Sequence, residues 1–577
     1  MHILLVASAF NSLTQRVLAE LQDRGHTVGV ELALGNDDAL REAVRRHAPQ
    51  LVVAPMLTTA IPEDVWTAHT CLIVHPGPPG DRGPSSLDWT LRGGVESWGV
   101  TVLEAVAEMD AGDVWAWSPL KMPPLAGKSD LYRGEVADAA VDAVLLAVER
   151  FGSGKYKPKR QKAADLAAGW RPFLKQAERR IDWATQSTES VLRQLRAADS
   201  QPGVLDELLG AQWHLHGGHP EDELRGAPGA LIATRAGAIC RATVDGAVWI
   251  AQLRPWRAPG SALASYKLPA VQALGDLLPV DVPEVPVPLQ LPASRRTWSD
   301  IRYSEHGEHG GRNAVGVLNF SFPGGAMSTV QCRRLLEAYR FAQARPTSVL
   351  VLGGVRDFFS NGIHLNVIEA AADPAEESWA NIHAMNDLVE AVLTTTDRLT
   401  VSALGGNAAA GGVMLALAAD EVWCRDGAVL NPHYTLMGLH GSEYWTYTLP
   451  RRVGAAEAQR LTQSALPVSA RRAVELGMAE RVLQAAPEEL GDEVTRLATQ
   501  LAASPDLAAR IAKKQAARAQ DEAAKPLQQY RDEELAHMRR NFFDASEPHR
   551  ALRSAFVRKE KALHTPPHVA RLGLAAD

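Results

Sequence analysis

Cysteine is scarce: Cys71, Cys240, Cys332 and Cys424 lie far apart in 577 residues, with no C-x-x-C pair, too few to frame a chain of this size. A reducing compartment, the cytoplasm, is the expectation. Long apolar runs are missing too, so no membrane helix and no membrane partner are expected, and the opening apolar stretch to Ala7 is too short for a secretion signal. Basic excess is absent: 60 Lys and Arg against 67 Asp and Glu leave a net charge of -7, which excludes nucleic acid as a first reading. No G-x-G-x-x-G follows the first strand, so a dinucleotide is not supported. His214-x-His216-x-x-His219 lies in a Gly-rich segment and is read as barrel rather than ligand set, leaving no metal expected.

What is present is apolar residue enough, 46% of the chain against 22% charged, for several packed cores. The N-terminal stretch alternates strand and helix: a strand to Ala7, a helix from Ser12 with Leu13, Val17, Leu18 and Leu21 on one face, then Val28–Leu34, Asp37–Arg46 and Leu51–Ala54. That alternation predicts a parallel, doubly wound α/β sheet. From about Lys175 short strands separated by glycines predict a small OB-like β-barrel. Pro279, Pro283, Pro286, Pro288 and Pro292 then read as a stiff spacer. Beyond it, Ala314–Phe320, Ser348–Leu352 and Leu399–Leu404 read as strands and Ser328–Ala344 as a helix, a second α/β domain. A tail rich in Ala, Glu, Lys, Arg and Gln favours helices. His306 and His309 fall in a polar turn. The expected domains are 1–170, 171–275, a linker 276–298, 299–500 and a helical region 501–577.

Two constellations carry chemistry. The strand Cys71–His75 runs into a Gly- and Pro-rich loop through Arg82-Gly83, and Asp110 follows within Met109-Asp-Ala-Gly-Asp113. A histidine at a strand end with an acidic neighbour suits acyl transfer, the aspartate orienting the imidazole and stabilising its charged form; a strand cap and a turn aspartate are the plain alternative. The second is Gly406 to Asp420, a small-residue turn ahead of an apolar helix, with Phe359-Ser-Asn-Gly362 upstream and Asn431-Pro-His433-Tyr434 and Glu443-Tyr-Trp445 downstream. Tyr434 and Glu443 are candidate proton-transfer groups, with aromatic packing and a solvated glutamate as the alternative.

Val74-His75-Pro76-Gly77, Arg82-Gly83 and Met109–Asp113 resemble the formyltransferases that use 10-formyltetrahydrofolate, and Ile181-Asp-Trp183, Arg196-Ala197 and Gly229-Ala-Leu231 resemble the small C-terminal barrel of methionyl-tRNA formyltransferase. The resemblance implies that His75 acts on the formyl group, Asp110 orients it, and Arg82 and Gly83 contact the folate. It departs at Ile73, where such enzymes carry an asparagine, a donor whose loss costs about 3 to 4 kcal/mol of transition-state stabilisation. Gly406–Asp420 and its flanks resemble the enoyl-CoA hydratase/isomerase family, which implies an oxyanion hole from the Ser360 and Gly411 amides and coenzyme A near His433; the pair Arg451-Arg452 reads as a contact for a coenzyme A phosphate, with a solvated pair as the equal alternative. The hydratase carboxylates fall on Met414 and His433, which disfavours hydration.

The two halves in this order resemble the family of [NiFe]-hydrogenase maturation factors that pair a formyltransferase with a crotonase. That resemblance implies transfer of formyl from 10-formyltetrahydrofolate to coenzyme A and decarbonylation of formyl-CoA to CO, with hydrogenase maturation proteins or the hydrogenase large subunit as partners. A formyl-CoA or acyl-CoA hydrolase and a non-catalytic CoA-binding scaffold stay open.

Overall fold

The structure, a computed structural model, describes residues 1–258, 260–261, 263–307 and 313–574, so His309 lies outside the described residues. Alternation of apolar strands with amphipathic helices builds the first sheet from β1 (His2–Ala7), β2 (Thr27–Leu32), β3 (Leu51–Met56), β4 (Cys71–His75), β5 (Ser97–Glu104) and β6 (Val114–Lys121), in the order 2-1-3-4-5-6. Strands β1 to β4 are parallel, with core on both faces. The last two depart from the expected parallel sheet: β5 runs antiparallel to β4, and β6 to β5. Only the eight-residue helix Ser86–Gly93 separates β4 from β5, too short to carry the chain back along the sheet. The reversal makes 105–113 a hairpin loop, and Asp110 sits in it rather than on a neighbouring strand.

The small barrel region is an antiparallel sheet ordered Val204–Leu208, Ala211–Glu221, Ala247–Pro255, Ala238–Ala242, Leu231–Arg235, with the helix Thr188–Ala198 packed against it. His214, His216 and His219 belong to its longest strand, and burial holds His214 at about 4. The proline-rich segment is not a free spacer. Thr234 donates to the Pro283 carbonyl and accepts from the Val285 amide, so the segment adds to the sheet edge where proline's missing N–H is no loss.

The third sheet orders Ile301–His306, Val315–Phe320, Val349–Gly353, Leu399–Leu404, Glu421–Arg425 and Arg481–Leu483, parallel after the first hairpin, as the apolar runs predict. The tail forms Leu507–Ala524, Leu527–Phe543, His549–Arg558 and Pro567–Ala570. No helix among the described residues is long and apolar enough to cross a membrane.

The halves are docked by charge. Asp138 receives Arg16 from its own half and Arg425 from the crotonase half; Arg133 pairs with Asp357 at 2.7 Å and Arg356 with Glu135 at 2.6 Å. The C-terminus then returns to the first sheet: the Leu32 amide donates to Thr565, whose hydroxyl donates to Glu31, and Val569 is fully buried in the N-terminal core. This covers β2, an edge strand that would otherwise present unpaired backbone. Replacing Val569 by Asp should lower unfolding free energy by about 2 to 4 kcal/mol in chemical denaturation and release the tail to limited proteolysis. A change within about 0.5 kcal/mol would mean that the returning tail adds nothing to the N-terminal core.

Candidate active site

β4 ends on His75, only 5% exposed. The loop after it is fixed by its carbonyls: Pro76 accepts from Trp98 and Ser86, and Gly77 from the Thr101 hydroxyl. His75 stands between two carboxylates. Its Nδ1 is 3.5 Å from Asp110, the residue expected from sequence, and its Nε2 donates at 2.8 Å to Asp81, which sequence reading missed. Asp81 is the acid of the Gly80-Asp-Arg-Gly83 run, so the signal stood inside the motif already singled out. Its second carboxylate oxygen is buried without a hydrogen bond, with Arg171 at 3.5 Å.

Gly83 has φ +111, and its amide donates to Asp110 at 3.0 Å; a Cβ there would meet the Arg171 carbonyl at 2.0 Å, so only glycine fits. Arg82 is a strut: it donates to the Met109 carbonyl, pairs with Glu108 and lies over Trp170. Gln161 ties the same two loops, accepting from Gly80 and donating to the carbonyls of Asp110 and Gly112. Arg82 and Gly83 therefore shape the loops that hold His75. Ile73 joins the apolar layer, leaving no side-chain donor beside His75 at that position.

The second centre lies where Ser360 bridges Ala408 and Gly411 begins its helix. The Glu443 carboxyl rests against Gly411 so closely that a Cβ on the glycine would meet Glu443 Oε1 at 2.1 Å. Tyr434 donates its hydroxyl to Glu443 at 2.9 Å, and the Ser442 amide donates at 3.1 Å. Glu443, 1% exposed, is pushed up to about 7 by burial, against the lowering pull of the Tyr434 hydrogen bond and with the nearby Glu534 adding to the rise. Burial and the adjoining carboxylate hold Tyr434 well above its ordinary range. Glu443 and Tyr444 have φ of 59° and 60°, conformations that cost on the order of 1 to 3 kcal/mol each and persist only where surroundings impose them.

One cavity of about 860 Å³ touches both halves, the barrel and the tail. From the first half it is lined by Pro76 and Pro84–Asp88, flanking His75; from the crotonase half by Ala408–Gly411, His433, Tyr434 and Glu443. Ser360 lies behind the lining, fully buried. Met414 is not in the wall either: it is buried in the core, its sulfur accepting from Thr448. Tyr444 and Trp445 also stay outside the lining, which Met437 and Met538 join. Arg451 does not reach the cavity: it pairs with Asp521 and stacks on Tyr447, 4.2 Å from the ring centroid.

The cations that do reach it are Lys128, Arg133, Lys267 and Lys559, none marked by a motif. Lys128 is held by Asp88 and Arg133 by Asp357, whereas Lys267 and Lys559 form no ion pair among the described residues. Burial lowers the proton affinity of both lysines, so an anionic ligand is what these two ammonium groups fit.

Comparison with known proteins agrees with this layout. Residues 312–565 match the enoyl-CoA hydratase/isomerase family and 174–263 the formyl transferase C-terminal domain. The hydrogenase maturation factor HoxX of Bradyrhizobium diazoefficiens is 48% identical over 572 residues, 99% of this chain and 97% of that one. The crystal structure of HypX from Aquifex aeolicus in complex with tetrahydrofolic acid superposes with a TM-score of 0.92 at 42% identity, over 98% of each chain. Methionyl-tRNA formyltransferase of Streptococcus pneumoniae is 26% identical over 188 residues, 33% of this chain and 59% of that one.

A buried carboxyl near 7 leaves a signature in stability. The folded form of Glu443 holds its proton above the unfolded value, so the unfolded chain binds fewer protons, and stability falls as pH rises from 4.5 to about 7, then levels. Glu443→Gln should remove a share of that fall, on the order of 3 kcal/mol. Denaturation midpoints across this range test it; a variant with the wild-type slope would place the carboxyl in water.

Proposed function

The chain belongs to the HoxX/HypX family of hydrogenase maturation factors, and from that premise we propose that it makes CO, transferring formyl from 10-formyltetrahydrofolate to coenzyme A and decarbonylating formyl-CoA. The observation that carries the reading is the shared cavity: one lined space runs from the loops around His75 to Glu443 at Gly411. A formyl thioester is the smallest species that uses both ends. Lys267 and Lys559 supply unpaired positive charge for coenzyme A phosphates.

At the first centre the folate formyl carbon is attacked by the thiol sulfur; the C–N bond to the folate breaks, and His75, oriented by Asp81 and Asp110, moves the proton from sulfur toward the leaving nitrogen. At the second, the amide of Gly411, in the cavity wall at the start of its helix, polarises the thioester oxygen. The Glu443 carboxylate removes the formyl proton as the C–S electron pair passes to sulfur, giving CO and a thiolate. Glu443 then returns the proton to sulfur, directly or through Tyr434. A carboxyl near 7 suits both taking and giving that proton. The hydrogenase large subunit or its maturation proteins receive the CO, and the cytoplasm is where they meet it.

His75→Ala should abolish release of both tetrahydrofolate and CO; Asp81→Asn should slow the same step about tenfold or more. Wild-type tetrahydrofolate release in His75→Ala would move formyl transfer to another site. Glu443→Gln and Tyr434→Phe should lower CO release about a hundredfold and tenfold while tetrahydrofolate still forms, with formyl-CoA or formate accumulating. CO caught at the wild-type rate by a haem-protein trap in both variants would exclude the relay.

A further inference from the structure

The turn that carries Glu443 is held from outside. Glu443 and Tyr444 adopt consecutive left-handed conformations that side-chain-bearing residues rarely take. Their amides are satisfied by side chains from two distant elements. Asn386, on the helix Pro374–Leu393, accepts from the Glu443 amide at 2.8 Å. Glu534, on the tail helix Leu527–Phe543, accepts from the Tyr444 amide at 2.9 Å through one oxygen and from the Thr446 amide at 2.9 Å through the other. Glu534 is 1% exposed and sits at the start of the helix Trp445–Val453, where a carboxylate satisfies amides that the helix itself leaves unpaired.

We propose that Glu534 is a positioning residue for the proton relay: by clamping the Tyr444 and Thr446 amides it holds the left-handed turn that presses the Glu443 carboxyl against Gly411. The inference rests on the reading that Glu443 relays the formyl proton. It gives the tail a role beyond packing, since without that helix the turn has no partner for two buried amides. The groups facing the pair are few. Tyr434 and the Ser442 amide hydrogen-bond Glu443, Cys332 approaches it from the helix Thr329–Gln343, and Glu390 and Arg531 meet at the Tyr444 hydroxyl. Burial is the larger cause of the rise at Glu443, the nearby Glu534 charge adds to it, and Glu534 is itself raised to about 7 by burial.

The test uses the full chain with Glu534→Gln and Glu534→Asp. Tetrahydrofolate release counts formyl transfer, a haem trap counts CO, and the infrared band of the Glu443 carboxyl, assigned by its loss in Glu443→Gln, follows its protonation with pH. Both variants should keep tetrahydrofolate release within about twofold and lose CO release about tenfold or more. In Glu534→Gln the carboxyl band should also titrate at lower pH than in the wild type; in Glu534→Asp, which keeps the charge and shortens the reach, it should stay raised. CO release within twofold of wild type in either soluble variant, or a band that titrates at the wild-type pH in Glu534→Gln, would overturn the proposal. If the wild type itself forms no CO, the decarbonylase reading falls, and the infrared comparison still decides whether Glu534 controls Glu443.

Discussion

The site depends on the docking of two halves, each built around its own core. Asp138 sits between Arg16 and Arg425, one from each half, and the pairs Arg133–Asp357 and Arg356–Glu135 cross the same boundary. Partly buried ion pairs add little net stability, yet removing one partner strands the other, so they specify one relative placement more than they strengthen it. Placement is what the cavity requires. Its walls come from loops around residue 85, the barrel near 200 and 267, the crotonase turns near 361, 410 and 434, and the tail at 538 and 559. A rotation of one half would open the space between His75 and Glu443 to water and separate the two centres.

The same logic explains why the tail closes onto both halves. Asn541 accepts from the His440 amide, the Met437 carbonyl lies 2.8 Å from His549, Glu534 clamps the turn after Glu443, and Thr565 with Val569 returns to β2. A strained turn stays strained only if its neighbours leave it no cheaper conformation. Here those neighbours are a helix from the crotonase core and a helix from the tail, so the turn that presses Glu443 against Gly411 is set by residues 57 and 90 positions away in sequence.

Local patterning made the elements legible. The apolar runs at Ala314–Phe320, Ser348–Leu352 and Leu399–Leu404 are strands within a residue or so, and the helix that starts at Ser12 carries Leu13, Val17, Leu18 and Leu21 inward as its spacing predicts. His75, Asp110, Gly411, Tyr434 and Glu443 could be picked out because each belongs to a contiguous motif. What stayed hidden depends on the chain's return path. Nothing near Lys267, Lys559, Asn386 or Glu534 distinguishes them from ordinary surface or helix residues, and only the docking of distant segments puts them at the cavity or its support. Arg451 failed for the opposite reason: a cation near the motif looked available, and Asp521, seventy residues on, engages it. The reversal at β5 was invisible because an alternating pattern records burial on each strand and not its direction.

The placement of Met414 alters the chemical argument about water. A hydratase needs carboxylates that hold and activate water; at one of those positions this chain has a thioether, and it lies in the core rather than in the cavity wall. Dryness at Glu443 therefore does not come from Met414. It comes from the carboxyl's own enclosure: Gly411 against one side, the Tyr434 hydroxyl and Ser442 amide on the other, and 1% exposure overall. A carboxylate held in this way has a thioether in the core, and no carboxylate, at the second hydratase position with which to fix a water. On the proposed reading, formyl-CoA meets one proton acceptor and one hydroxyl at the oxyanion turn, so proton removal from carbon is favoured over attack by water.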